Sequence, residues 1–326
     1  MLSRDSLVTL LLCSHLGLAK DGDLAPLTVR EWNSMARKIQ ESIFIQPREL
    51  LERPVAEIKR QLDLAEAEAR RLAGLLDRQD DLVSELDRLA ARGIRVTTRS
   101  DSDYPQRYRQ RLKESAPVVL FFAGEPALLG QPGIAVVGSR HLDQVGQECA
   151  IFIGNACGIS GLVLYSGGAR GVDTLSMNAA LEARGSAVGI LADSLERSIW
   201  DSGIRSAITR GDLCLATPYS PSAGFSVGAA MGRNRLIYCL ADYAIVVASD
   251  VQKGGTWAGA SEALKAGWIP IFVLDHSAMP EGNRLLLEKG GLPFPHPFPE
   301  TFAKLPEWLL KNSSSDKPKT NQLGLF

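Results

Sequence analysis

The run Ser166-Gly167-Gly168-Ala169-Arg170-Gly171-Val172-Asp173 holds three glycines within six residues and leads into a helical pattern. Unhindered backbone N–H groups next to a helix amino terminus suit an oxyanion. The same run can also be read as a tight strand-to-helix turn that Asp173 caps. Three further segments have a similar composition. In Gly138-Ser139-Arg140, glycine permits a sharp turn, serine donates a hydrogen bond and arginine offers a planar fork that matches phosphate. Gly232-Arg233-Asn234-Arg235-Leu236-Ile237 sets two arginines beside an apolar run, and Lys253-Gly254-Gly255-Thr256 opens an alanine-rich helix. A second glycine-rich helix start makes a shared groove a better account than four unrelated turns. The chemistry that these residues fit is binding of phosphate.

Hydrolysis is not supported. His141 is the only histidine in these segments and has no evident carboxylate partner, and neither a Ser-His-Asp nor a Cys-His order can be assembled. The G-x-x-x-x-G-K-[ST] and G-x-G-x-x-G spacings are both missing. The cysteines at 13, 149, 157, 214 and 239 form no C-x-x-C pair and have no adjacent histidine, so neither a metal nor a cofactor is expected, and a reducing cytoplasm suits them.

These segments need elements to hold them. Residues 134–137, 162–165, 187–191, 213–216, 243–248 and 270–274 read as apolar strands, with helical stretches ending near Gly158 and spanning 173–184. Such alternation predicts a doubly wound, mostly parallel α/β sheet whose ligands sit at the carboxyl ends of the strands. The four segments fall at those ends and are expected to be loops. Residues 1–92 read as a small helical accessory domain, with apolar residues such as Leu72, Leu75, Leu76, Leu82, Leu86 and Leu89 at helical spacing among charges. Residues 93–300 form the main domain. Residues 301–326 are expected to be a tail, and from about Lys311 the sequence is too polar to fold alone.

With 326 residues, 45% apolar and 22% charged, the composition is that of an ordinary globular protein, and the net charge of -1 excludes binding of polyanions by bulk attraction. Any contact with nucleic acid must be local. Residues 7–19 are apolar, yet Asp5 and His15 argue for a core helix over a secretory leader, and no stretch is long enough to span a bilayer.

Read in order, the motifs resemble the DNA-processing protein A (DprA/Smf) family. The resemblance starts with Gly93-Ile94-Arg95-Val96, Asp103-Tyr104-Pro105 and Ala116-Pro117-Val118-Val119-Leu120 and continues with Ile134-Ala135-Val136-Val137-Gly138-Ser139-Arg140. It runs on through the 166–173 run, Arg233-Asn234-Arg235-Leu236-Ile237 and the segment after Lys253, covering roughly residues 93–274. It implies an extended Rossmann-like fold that binds single-stranded DNA in a positively lined pocket as a homodimer and passes the strand to a RecA-type recombinase. Arg140 would be the principal phosphate ligand, with the amides of Ser166, Gly167, Gly168, Arg170 and Gly171 and the side chains of Arg233 and Arg235 lining the same groove.

The chain departs from that pattern in places. Where the family carries Tyr-Pro, a basic residue and Asn, this chain has Asp193-Ser194-Leu195-Glu196-Arg197-Ser198-Ile199-Trp200, so a second basic contact falls to Arg197 or Arg205. Ser176, Met177 and Asn178 stand where a histidine is often found, and the winged-helix tail of many members is not expected here. A specialised homologue, for instance one in phage defence, would fit these gaps. The segment Gln322-Leu323-Gly324-Leu325-Phe326 looks like the peptide by which bacterial DNA-handling proteins dock on the sliding clamp; otherwise it is an apolar tail that packs back on its own domain or has no role. An enzymatic rival resembling the phosphoribohydrolases is disfavoured, because Thr256 follows Gly255 directly and Glu262 comes six residues later. A nucleotide sensor of the same fold superfamily is the other alternative.

Overall fold

The computed structural model describes residues 2–18, 24–251, 254–298 and 304–313. Five helices come first: α1 (Arg4–Cys13), α2 (Val29–Glu41), α3 (Val55–Leu62), α4 (Glu66–Leu76) and α5 (Gln79–Ala91). The α/β part follows as β1 (Ile94–Thr98), α6 (Gln106–Leu112), β2 (Val119–Gly124), β3 (Gly133–Gly138), α7 (Gln144–Ser160), β4 (Val163–Ser166), α8 (Val172–Glu182) and β5 (Ala187–Ile190). It continues with α9 (Leu195–Ser198), α10 (Ser202–Arg210), β6 (Leu213–Thr217), α11 (Val227–Leu240), β7 (Tyr243–Ala248), α12 (Gly254–Ala266), β8 (Ile271–Asp275), α13 (Glu281–Glu288), β9 (Leu292–Pro295) and α14 (Leu305–Ser313).

Strand order is β1-β2-β6-β5-β4-β3-β7-β8-β9. The strands from β6 to β9 run parallel, and β1 and β2 add antiparallel at one edge. Strand period sorts the side chains into two layers. Ile134 and Val136 of β3 pack with α7, α8 and the amino-terminal helices, while Ala135 and Val137 pack with α6, α11 and α12. Each of the six expected strands is present, shifted by at most a residue or two at its ends. The unexpected β9 carries Pro293 and Pro295, which lack the ladder N–H and are tolerated because β9 is an edge strand.

The amino-terminal helices share an apolar cluster with the sheet, so the change at residue 93 is one of secondary structure within a continuous core. Arg78 is buried, and its guanidinium donates to the carbonyls of Leu11 and Ser14 (the latter at 2.9 Å), which lie at and just beyond the end of α1. A cation there complements the helix dipole and satisfies orphan carbonyls. Burial pulls its pKa down to about 10, so it stays charged at neutral pH. Among the described residues no helix is long and apolar enough to cross a membrane.

The expected tail from 301 is corrected in its first part. Leu305 and Leu309, four apart on α14, are fully buried, and Trp308 packs 5.4 Å from the rings of Phe272 and Phe294. Enough apolar surface is covered to order this helix, which the polar character of the following residues concealed. Residues 314–326, with Gln322, Leu323, Leu325 and Phe326, lie outside the described residues.

Two devices position the strand ends that matter. Arg107 and Arg111 of α6 reach the carboxyl end of α11: Arg111 donates to Cys239 O at 3.0 Å and Ala241 O at 2.6 Å, and Arg107 pairs with Asp242 at 2.8 Å. Asn283, fully buried on α13, accepts from Ser249 N at 2.8 Å and donates to Val247 O at 3.0 Å and Leu274 O at 2.9 Å. It joins the ends of β7 and β8 just before the loop to α12. Replacing Asn283 with alanine leaves three buried backbone groups without partners and is expected to lower stability by ~3 kcal/mol or more. Urea unfolding checks this, and a midpoint equal to that of the wild type would contradict it.

Candidate nucleic-acid interface

β3 and β7 are neighbours at the point where the connections of the parallel sheet change direction, the crevice at which such sheets take ligands. A 370 Å³ pocket opens there, lined by Gly138, Ser139, Arg140, His141, Ala169, Asp173, Phe225, Met231, Arg233, Asn234, Asp250, Gly254, Gly255 and Thr256, among others. The first predicted segment and parts of the other three therefore converge.

The loop after β3 is tied on both sides. Ser139 N donates to Ala248 O at 2.8 Å, Ser139 O accepts from Val172 N at 3.4 Å, and a side chain on Gly138 would meet Val172. Arg140 is thereby projected outward. It is exposed, has no ion pair among the described residues, and its guanidinium lies 5.4 Å from the centroid of the Phe225 ring. Phe225 is 53% exposed, and Val227 and Met231 beside it are exposed too. Sequence reading missed this apolar rim. The available signal was Ser226, which caps α11 by accepting from Ala229 N at 3.0 Å and so fixes Phe225 just outside the helix.

The loop after β4 is partly committed to its own structure. Ser166 is buried and donates to Val136 O at 2.6 Å, while Gly167 N and Ala169 N donate to Asp173 Oδ2 at 3.1 and 3.2 Å. The carboxylate of Asp173 thus takes two amides that could have met an anion. Gly168 (φ +66°) and Gly171 (φ +88°) hold left-handed backbone, which favours glycine, and a side chain on Gly171 would strike the carbonyl of Ser139. Gly168 faces a different groove, between α8 and α10, and the exposed Arg170 has no ion-pair partner among the described residues.

The arginine-rich hexapeptide is part of α11, where the sequence reading expected a loop. Residues two apart on a helix are separated by roughly 200°. Arg233 consequently points under the pocket, 5% exposed, while Arg235 donates to Ser115 O at 3.2 Å and lines a separate 210 Å³ cavity with Cys13 and Tyr219. The two arginines do not share a groove. Arg233 and Asp173 both lie beneath Gly167, without an ion pair between them, and any side chain on Gly167 would strike the Arg233 guanidinium. Burial pushes the Asp173 carboxyl up and the Arg233 guanidinium down from their usual values, and the field of each opposes the shift of the other. The Nε of Arg233 has no hydrogen-bond partner.

Asn234 packs against Gly255 in the pocket, and Gly254, Gly255 and Thr256 start α12 there. Lys253 lies outside the described residues. Arg197 is exposed on α9, away from the pocket lining. No group of three or more His, Cys, Asp or Glu among the described residues could hold a metal ion.

The fold is that of a doubly wound α/β protein, with this pocket at the switch point where such sheets take ligands. Residues 95–294 match the family model of DNA recombination-mediator protein A, and the chain belongs to that family. A DNA processing protein DprA from Streptococcus pneumoniae is 29% identical over 184 residues, covering 54% of this chain and 62% of that protein. A Mycobacterium tuberculosis protein of the same name is 28% identical over 189 residues, 54% of this chain and 48% of its own length. The chain thus spans about half the length of that relative. The solved structure of DNA processing protein A from S. pneumoniae superposes with a TM-score of 0.57 at 21% identity, over 82% of this chain and 94% of that one. A second structure, of DNA processing protein A from Helicobacter pylori, was described for its single-stranded DNA binding mode; it gives 0.54 at 25% identity, over 67% and 96%. The Rossmann-like fold expected from the motifs is the fold observed.

Gly167→Ala is expected to displace the Arg233 guanidinium and to destabilise the protein by ~1–3 kcal/mol, the usual range for overpacking. Thermal unfolding with and without the substitution tests this, and an unshifted midpoint would show that the space beneath the loop is not filled as described.

Proposed function

We propose that this protein binds single-stranded DNA at the β3–β7 crevice and acts by binding, not by catalysis, in DNA processing and recombination. The observation that carries the reading is Arg140, a guanidinium without an ion-pair partner among the described residues, held at the pocket mouth over an exposed phenylalanine. An arginine for phosphate and an aromatic face for a base are the two parts that sequence-tolerant binding of single strands needs. The Helicobacter pylori relative, described as binding single-stranded DNA, supports the choice of ligand. Asp250 also lines the pocket, so the basic character is local to Arg140 and the loop beside it.

Three partners belong to the same proposal. A RecA-type recombinase would receive the strand, a second copy of the chain would complete a homodimer, and the sliding clamp would take the peptide Gln322-Leu323-Gly324-Leu325-Phe326 from its polar leader. A cytoplasmic location suits all three.

Gel-shift titration with single- and double-stranded oligonucleotides at two salt concentrations tests the binding reading. Wild type is expected to prefer the single strand and to weaken with salt, Arg140→Ala to lose at least ~10-fold in affinity and part of the salt slope, and Phe225→Ala to lose ~1–3 kcal/mol. Equal binding by Arg140→Ala would end the assignment. Deleting residues 322–326 is expected to abolish clamp capture in surface plasmon resonance and to leave DNA affinity intact; unchanged capture would refute the docking role.

A further inference from the structure

We propose that the bound strand leaves the Arg140 pocket across the 167–171 loop and continues into the groove between α8 and α10, where a base stacks on Trp200. The inference rests on the single-stranded DNA reading above and extends it to a second, distinct contact area.

The groove holds 570 Å³, with an apolar floor from Met177, Leu191 and Leu215, a wall from Ile204, and Gly168 and Ser198 among its lining residues. Gly168 belongs to the same loop that lends Ala169 to the Arg140 pocket, so one loop separates the two cavities. A chain lying over that loop enters both. Trp200 stands in the joint between α9 and α10, between Ser198 and Asp201, which line the groove.

Trp200 is 65% exposed, and the other four tryptophans are buried or half-buried. A large aromatic side chain left in water marks a contact surface. The Arg205 guanidinium lies 5.8 Å from its ring centroid, and Arg205 Nη2 donates to Trp200 O at 3.2 Å. One side of the indole therefore carries a cation, and much of the ring stays in solvent. Indole faces and guanidinium planes are surfaces on which unpaired bases stack.

The charge around the joint favours a polyanion. Arg170, Arg197 and Arg205 have no carboxylate partner among the described residues. Glu196, the acid next to Arg197, is held by Arg92 and, at 2.8 Å, by Arg88 of α5, which lowers its pKa and spends its charge on the helical segment. Asp201 uses Oδ1 to cap α10 through Ile204 N at 3.0 Å. Glu182 and Asp201 line the groove itself and are the acids that oppose this balance, while Arg210 of the lining is paired with Asp212.

The test uses the full chain and oligothymidylates of ~4 and ~12 nucleotides, the range that a single binding fold spans. Intrinsic tryptophan fluorescence is read during titration. The longer strand is expected to quench the signal, the shorter one to bind with little quenching, and Trp200→Phe to bind the longer strand with most of the quenching gone. Trp200→Ala is expected to weaken the longer strand ~10-fold and the shorter one not at all. Undiminished quenching in Trp200→Phe, or equal weakening of both lengths in Trp200→Ala, would overturn the path. So would an unchanged DNA affinity in Trp200→Ala accompanied by dissociation of a dimer in sedimentation, which assigns Trp200 to a second copy of the chain. The two proposals fail differently: wild type that binds neither length sinks the DNA reading itself, whereas wild type that binds both with a silent Trp200 sinks only the extension.

Discussion

The Arg233 guanidinium and the Asp173 carboxylate both lie buried beneath Gly167, each in the field of the other without a direct ion pair, and the loop after β4 is built over them. Either charge alone would be very costly in such a place. Two loop amides on the Asp173 carboxylate tie the loop after β4 to the start of α8, and the field between Asp173 and Arg233 of α11 offsets part of the burial cost of each. Gly167 is required because only a residue without a side chain leaves room for the guanidinium. Two buried opposite charges thus underlie the pocket, and Arg140 stands exposed above them.

Above that floor the geometry follows from the sheet. The crevice between β3 and β7 brings the ends of two strands and the starts of α11 and α12 to one place, and the arginines of α6 and Asn283 of α13 hold the neighbouring elements in register. What results is a shallow mouth with Arg140 over Phe225, suited to a phosphate and a base at once. The Asp173 carboxylate accepts from two amides of the loop after β4 and so serves as a structural group of that loop.

The amino-terminal helices do more than cover one face of the sheet. Through Arg88 and Arg92 they grip Glu196 beside Trp200, and through the apolar cluster shared with β1 and β2 they join the antiparallel edge of the sheet. The part of the chain that looked least chemical in sequence thereby sets the charge balance of the α9–α10 joint.

The strands, their parallel alternation, the glycine turns and the convergence of Gly138, Ser139, Arg140 and Thr256 were legible in the sequence, because apolar runs and turn residues act locally and the sheet forces its strand ends together. Arg233 and Arg235 were misjudged as a loop. Their helical phase, which sends one under the pocket and the other to a separate cavity, depends on where α11 begins, and that is set by Ser226 and by packing on the sheet. The choice between an anion and Asp173 for the amides of Gly167 and Ala169 was likewise open until the burial of Arg233 beside them was known. Phe225 meeting Arg140, 85 positions away in the chain, was beyond any local pattern. Sequence alone determined which elements form and which groups could bind phosphate; tertiary structure decided which of those groups remain free to do so, because contacts between distant segments compete for the same donors and charges.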